Sequence, residues 1–428
     1  MTKRALSMML PAVLSLGIIL SGCGSDDASS SNNAAAPGAA GDKVAGEITV
    51  WGHPYVGDDK KEQLKAFWND TIAAFKQKYP DVKVNYEEIP WKNREQKILT
   101  ALAAGSGPDV FYQLPDQIPQ FAGNNALEPL DAYAKDIRTD DFSKGALAGA
   151  TYQGKLYALP ILQEVQTLIY NPDVIKAIGE DPAKLPTTWD EFDRWAEKAK
   201  AKGYYARNFE GGAGCCNATL YPLLWQSGSN VTDDGGSIIL NNDKGVQAFE
   251  YVKKMYDNGW IPKDSISNDN QFPEFLSGKM LAVWGQGSTL TTLKAQKKPY
   301  VIGPPLKKEK QASFGTVGMF VVSKTSKNKA AAVEFAKFLT NTDTAKAFNK
   351  LTGYLPVRKS AGDIYNDDQD MKEFMKYADL TIPGISHPAA RGFMPKIQAE
   401  IGAMLEGKKT PKQAADAAAE ALKLDAKK

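Results

Sequence analysis

The 428-residue chain holds 52 Lys and Arg against 50 Asp and Glu, a balance that excludes the basic surface a nucleic-acid partner requires. Its length exceeds what one ordinary core absorbs, so two packed bodies are expected. With only two histidines, His53 and His387, a multi-histidine metal site is excluded, and neither metal nor cofactor is expected.

At the N-terminus, Lys3 and Arg4 precede a mostly apolar stretch, 5–20. It is too short and too quickly followed by polar residues to span a bilayer, and reads as a secretory signal. Leu20-Ser21-Gly22-Cys23 resembles a bacterial lipobox, in which the cysteine becomes the lipidated first residue of the mature chain. Residues 1–22 are therefore expected to be a cleaved signal peptide. The segment 23–43, rich in Ser, Ala, Asn and Gly and without an aromatic residue, is expected to be a flexible tether. Each buried acyl methylene contributes about 0.8 kcal/mol, so acyl chains on Cys23 would anchor the protein without a spanning helix. The expected location is extracytoplasmic: the cell surface, or the periplasm where there is an outer membrane. Loss of Lys3 and Arg4 leaves 50 basic and 50 acidic side chains, so charge identifies no ligand.

Residues 47–51 read as a strand, and 60–79 place Leu64, Phe67, Trp68, Ile72 and Phe75 on one helical face before Pro80 stops the helix. A strand at 81–89 alternates Val82, Val84 and Tyr86, and a helix at 93–104 ends at Gly105-Ser106-Gly107 before a short buried strand, 109–113. Strand, helix, strand, helix, strand implies a parallel sheet covered on both faces. Further on, 155–170 contains apolar strands, and Thr188-Trp189-Asp190-Glu191 forms a capping box that opens a second α/β body. Strands are expected at 280–284 and 317–323, helices at 329–339 and 389–405, and a last alanine-rich helix capped by Thr410-Pro411-Lys412-Gln413.

Catalytic signatures are nearly absent. The sequence has no HExxH, no G-x-S-x-G elbow and no G-x-x-x-x-G-K-[ST] loop, and Gly285-Gln286-Gly287 lacks the third glycine of a dinucleotide motif. A binding role is expected instead. Ligands of open α/β sheets lie beyond the carboxyl ends of strands, which makes Trp51 and the following His53 and Tyr55 candidate contacts.

The adjacent Cys215 and Cys216 sit in a glycine-rich loop. Neighbouring Cα atoms are ~3.8 Å apart against the usual disulfide span of about 4.4 to 6.8 Å, so a vicinal disulfide here would be a strained ring. Strain of this kind persists at functional sites, and a vicinal disulfide that rigidifies a turn at the ligand site is the expectation; the alternatives are a buried thiol pair and an intermolecular bridge.

Further stretches are Gly107-Pro108-Asp109-Val110, the run from Gly154-Lys155-Leu156-Tyr157-Ala158-Leu159-Pro160 to Leu168-Ile169-Tyr170-Asn171, Pro186-Thr187-Thr188-Trp189-Asp190-Glu191-Phe192, Phe275-Leu276-Ser277-Gly278-Lys279-Met280, Lys329 to Leu339 and Gly353-Tyr354-Leu355-Pro356-Val357. In order and spacing they resemble the maltose-binding-protein-like, family 1 extracellular solute-binding proteins. The resemblance covers essentially the whole mature chain. It implies a two-lobed α/β fold of the type II periplasmic-binding-protein kind, with the ligand cleft between lobes joined by hinge segments. Crossings are expected near 155–159, 314–319 and 355–357. One lobe would comprise 44–154 plus 318–355, the other 155–317 plus 356–428.

The implied function is that of a monomeric, non-enzymatic substrate-binding lipoprotein of an ABC importer. It would bind a sugar, an oligosaccharide being expected, and deliver it to the permease subunits, with ATP hydrolysis in another polypeptide. A non-sugar solute is the alternative ligand. A secreted glycoside hydrolase needs only two carboxylates, which fifty acidic residues supply without discriminating.

A sugar site needs aromatic platforms for the C–H face of the ring and acceptors for its hydroxyls. The resemblance aligns Gln113 with a family aromatic position, Asp116 with a hydroxyl-binding acid and Glu164 with a second carboxylate. Near the C-terminus it points to Arg391 and Phe393; on the other lobe Trp284 closes a strand and Gln286 sits in the following turn, so both are candidates to face the cleft, as is Trp225, for which core packing is the rival reading. Tyr354 and Arg358 flank the third crossing.

Overall fold

The computed structural model describes residues 43–91, 93–211, 216–268 and 271–426. The signal, Cys23 and nearly all of the tether lie outside them, as does Cys215. Strand β1 (Gly46–Gly52) is followed by helix α1 (Lys61–Lys78), β2 (Val82–Glu88), α2 (Arg94–Ala103) and β3 (Val110–Gln113). Next come β4 (Ala158–Gln163), β5 (Thr167–Tyr170), α3 (Trp189–Ala201), β6 (Tyr205–Arg207), α4 (Cys216–Gln226) and α5 (Asp243–Asp257). The chain continues through β7 (Met280–Gly285), β8 (Val301–Ile302), β9 (Val317–Val322), α6 (Lys329–Leu339), α7 (Thr342–Thr352), α8 (Ala390–Leu405) and α9 (Pro411–Ala426).

Two sheets organise the chain: a five-stranded one in the order β2-β1-β3-β9-β4, and a four-stranded one in the order β8-β5-β7-β6. The first three strands are parallel, as the βαβ pattern predicts. The sheet is nevertheless mixed, because β9 arrives from the other half of the chain and pairs antiparallel with both β3 and β4. In the second sheet β5 runs antiparallel to β7, and β6 parallel to it. Both strands central to crossing the molecule, β4 and β5, are buried along their whole length, which is why they read as continuous apolar runs rather than as alternation.

Each sheet has its own core. Ile48, Val50, Trp68, Phe75, Val110 and Phe335 belong to the first, and Trp189, Phe192, Phe249, Trp260, Leu281 and Ile397 to the second. The helix ends follow the sequence chemistry. The Thr188 hydroxyl accepts from the Glu191 amide at 3.2 Å while the Glu191 carboxylate accepts from the Thr188 amide at 3.1 Å, satisfying donors the first turn leaves unpaired. Thr410 and Gln413 make the same reciprocal pair at 3.3 and 3.0 Å.

Three segments pass between the sheets side by side. Gln163 and Leu355 exchange both backbone hydrogen bonds at 2.9 Å, the Glu164 amide donates to Thr316 at 2.8 Å, and the Gln166 amide donates to Phe314 at 2.9 Å. Two of the expected boundaries move. Residues 155–156 form a small hairpin with Thr151 and Tyr152, and β4 lies in the first sheet, so the first crossing begins at Gln163 rather than near 155–159. The apolar run hid this, because it contains two strands interrupted only by Glu164, Val165 and Gln166. The third boundary also falls later: Val357 packs in the first core, and Ser360 and Arg358 bind Asp141 of the same half.

Arg358 and Asp141 form an ion pair at 3.2 Å with both side chains buried. Burial pushes the Asp141 carboxyl upward, but the Ser360 hydroxyl and amide and the Arg358 guanidinium outweigh it and hold the group below its ordinary value. Asp141→Ala should lower the unfolding free energy by about 3 to 5 kcal/mol in urea titrations, because it strands a buried guanidinium. The double variant Asp141→Leu with Arg358→Met should lose less.

Candidate ligand-binding cleft

The crossings form the floor of a groove of about 610 Å³ whose walls come from both halves. Tyr55 and Tyr354 stand on one side, Gln286 and Ser288 on the other, and Glu164 at the crossing itself. Glu164 is half-buried, and burial raises its carboxyl to about 7. Gln286 is held in place: its carbonyl accepts from Gln166 at 2.7 Å, and Gln166 in turn accepts from the Trp284 indole at 2.9 Å.

On the other side of the crossings is a smaller cavity of about 190 Å³ lined by Asp116, Tyr221, Phe314 and Arg391. Here the two halves touch through charge. Arg391, on the first turn of α8, sits 3.1 Å from the Asp116 carboxylate and 3.9 Å from that of Glu95. Burial pushes the Asp116 carboxyl up, with Arg391 and Arg94 opposing it, and the net direction is upward. A hydroxyl-bearing ligand would meet fixed acceptors and donors in both cavities.

Of the residues singled out in the sequence, Tyr55, Glu164 and Gln286 come together in the larger groove, and Asp116 with Arg391 in the smaller one. The others lie elsewhere. Trp51 is 6% exposed and packs in the first core, with Lys97 4.7 Å above its ring; the strand enters the core up to its last residue, so the ring never reaches the cleft. Gln113 is fully buried, and neither its amide nitrogen nor its oxygen finds a partner. Trp225 belongs to the second core, its indole donating to Asn230 at 3.0 Å, and is no ligand platform. Phe393 is likewise fully buried there, because it shares a helical face with Ile397 and Ile401 at four-residue spacing. Trp284 is buried, its indole donating to Gln166 at 2.9 Å. Cys215, and with it the expected vicinal disulfide, lies outside the described residues, while Cys216 is the first residue of α4.

Sequence reasoning missed Trp91, Arg94 and Gln166. Trp91 lies just beyond the end of β2 whereas Trp51 is still within β1, so the strand-end rule applied to the second strand would have found it. His53, expected as a ligand contact, is instead buried behind Trp91. Its Nδ1–H donates to Ile89 at 2.8 Å, Arg94 approaches its Nε2 at 3.5 Å, and its ring stacks on Trp91 at 4.1 Å. Arg94 also donates to Gln117 at 3.1 Å.

Among the described residues no three His, Cys, Asp or Glu side chains converge as a metal site would require, and no helix is long and apolar enough to cross a membrane.

Burial, together with the Arg94 charge and against the pull of the Ile89 carbonyl, lowers the His53 imidazole to about 4. Between about pH 6.5 and 4 the unfolded chain therefore binds a proton that the folded one refuses, so stability is intact above 6.5 and falls as the pH descends. The loss should reach about 3 kcal/mol near pH 4. Urea titrations at pH 7.5, 5.5 and 4.5 should show it, and His53→Gln should flatten that part of the slope.

Residues 70–379 match the family model described as bacterial extracellular solute-binding protein. The galactooligosaccharide-binding protein of Bacillus subtilis is 27% identical, the match covering 99% of this chain and 97% of that one. The maltotriose-binding protein of Pyrococcus abyssi is also 27% identical, over 76% of this chain and 69% of that one. Among solved structures, the sugar-binding protein MalE of Xanthomonas citri superimposes with a TM-score of 0.76 at 20% identity, covering 88% of this chain and 96% of that one. The fold is thus the two-lobed type II periplasmic-binding-protein fold, and the chain belongs to the bacterial extracellular solute-binding protein family.

Proposed function

We propose that this protein is the substrate-binding lipoprotein of an ABC importer, a monomer anchored through Cys23, and that it holds an oligosaccharide in the cleft at the crossings. The observation that carries the reading is the groove itself: a half-buried carboxylate, Glu164, faces Tyr55, Tyr354 and Gln286 across a space of about 610 Å³. Such walls offer rings to C–H faces and fixed acceptors to hydroxyls. The relatives that bind galactooligosaccharide and maltotriose support the ligand class. In this reading Glu164 is a stationary acceptor, and no bond in the ligand is broken. Contacts from both halves are complete only when the cleft is closed, so ligand shifts the population toward the form a permease recognises.

Calorimetry with maltotriose and with a galactooligosaccharide mixture tests the reading, with product analysis to exclude turnover. Small-angle scattering should show compaction with the saccharide that binds. Binding of neither, or hydrolysis of either, would overturn it.

Hydroxyl donors favour the ionised form of Glu164, whose proton is released near pH 7. Affinity should therefore rise with pH and level off above 7, falling by up to about tenfold per unit below it. In Glu164→Gln the profile should be flat. Cys23→Ser should release the protein from membranes into the soluble fraction after cell lysis.

A further inference from the structure

Trp91 is 40% exposed, and among the described residues only it and Leu424 are large hydrophobic side chains left in water. An exposed indole is ordinarily free to turn; this one is fixed. Its N–H donates to the Pro54 carbonyl at 2.9 Å, and its ring lies on His53 at 4.1 Å and 21°. Tyr55 and Tyr112 meet it nearly at right angles, at 5.6 and 5.7 Å, and the Arg94 guanidinium lies 5.1 Å from its centre. His53 is itself locked to Ile89, so the orientation of the indole is set before any ligand arrives.

The position suits a ligand as well as the rigidity does. Tyr55, against which Trp91 rests, lines the larger groove, and Arg94 beside it feels the charges of Asp116 and Arg391 at the smaller cavity. Trp91 is not itself a lining residue of either cavity, but Pro54 and Tyr55, which hold it, both line the larger groove, so it stands on the first half beside that wall. Keeping an indole in water forgoes the free energy its burial would supply.

We infer that Trp91 is the platform on which the first half stacks the apolar face of a neutral pyranose, the role that sequence reasoning gave to Trp51. The inference rests on the sugar reading above and names the residue that serves it. Because the ring is pre-oriented, stacking requires no ordering of the side chain, and the cost of immobilisation on binding is small.

The test uses the full soluble chain with maltotriose and the galactooligosaccharide mixture. Trp91→Ala should weaken binding of the saccharide that the unaltered protein takes by about tenfold or more, while Trp91→Phe, which keeps a flat ring, should stay within about threefold. A second measurement needs no substitution. Limited oxidation with N-bromosuccinimide, read by peptide mass, should modify Trp91 ahead of the buried tryptophans, and saturating saccharide should slow it.

If the unaltered protein binds a saccharide, yet Trp91→Ala binds it equally well or Trp91 oxidises at the same rate with ligand, the platform is wrong and the sugar reading stands. If the unaltered protein binds neither saccharide, both fall together.

Discussion

Everything functional in this chain hangs on a few backbone hydrogen bonds where three strands cross. Gln163 and Leu355 pair in both directions, and Glu164 and Gln166 reach Thr316 and Phe314. The Gln163 side chain secures the same point: its amide donates to Thr381 at 2.9 Å and to Ala378 at 3.1 Å, and its oxygen accepts from Ser143 at 3.3 Å. A buried amide satisfied on all sides is costly to move. The two main cores are separate packings, and they meet through these bonds, the apolar contacts of Val165 and Leu355, and the Asp116–Arg391 pair. Glu164 emerges directly beside them, which ties the chemistry of the groove to its mechanical centre.

Charge completes the picture. Asp116 and Arg391 belong to opposite halves and meet at 3.1 Å, with Glu95 and Arg94 close by. Two acids and two bases balance, so the rim presents directional donors and acceptors without a net field. Such a rim suits hydroxyls better than an ionic ligand, whose charge would find no surplus of the opposite sign.

Much of the fold was legible because local chemistry and tertiary role agree. The capping boxes at Thr188 and Thr410 formed as written, and the alternating strands and helices of the first hundred residues gave the parallel part of the first sheet. The mixed direction of that sheet was not legible, since it depends on β9 returning from far along the chain. At the candidate site, family resemblance pointed to Glu164 and Asp116, which line the two cavities, whereas Trp51, Trp225 and Phe393 are buried. Trp51 is suggested by its strand end and Phe393 by the family segment, but their burial, like that of Trp225, follows from pattern: a strand that stays in the core to its end, an i, i+4 face, and an apolar helix. Trp91 stands beside Pro90 just past the end of β2, a strand end that the sequence reading did not follow up.

The placement of β9 bears on how the chain assembles. It lies between β3 and β4 in the first sheet, yet it is Val317–Val322 and follows β4 by most of the second half. The sheet cannot close until that strand has been synthesised, so the early residues have no complete partner set while the ribosome is still working. Non-local pairing of this kind slows folding. A chain that remains open until late is one that a narrow secretion channel can still thread.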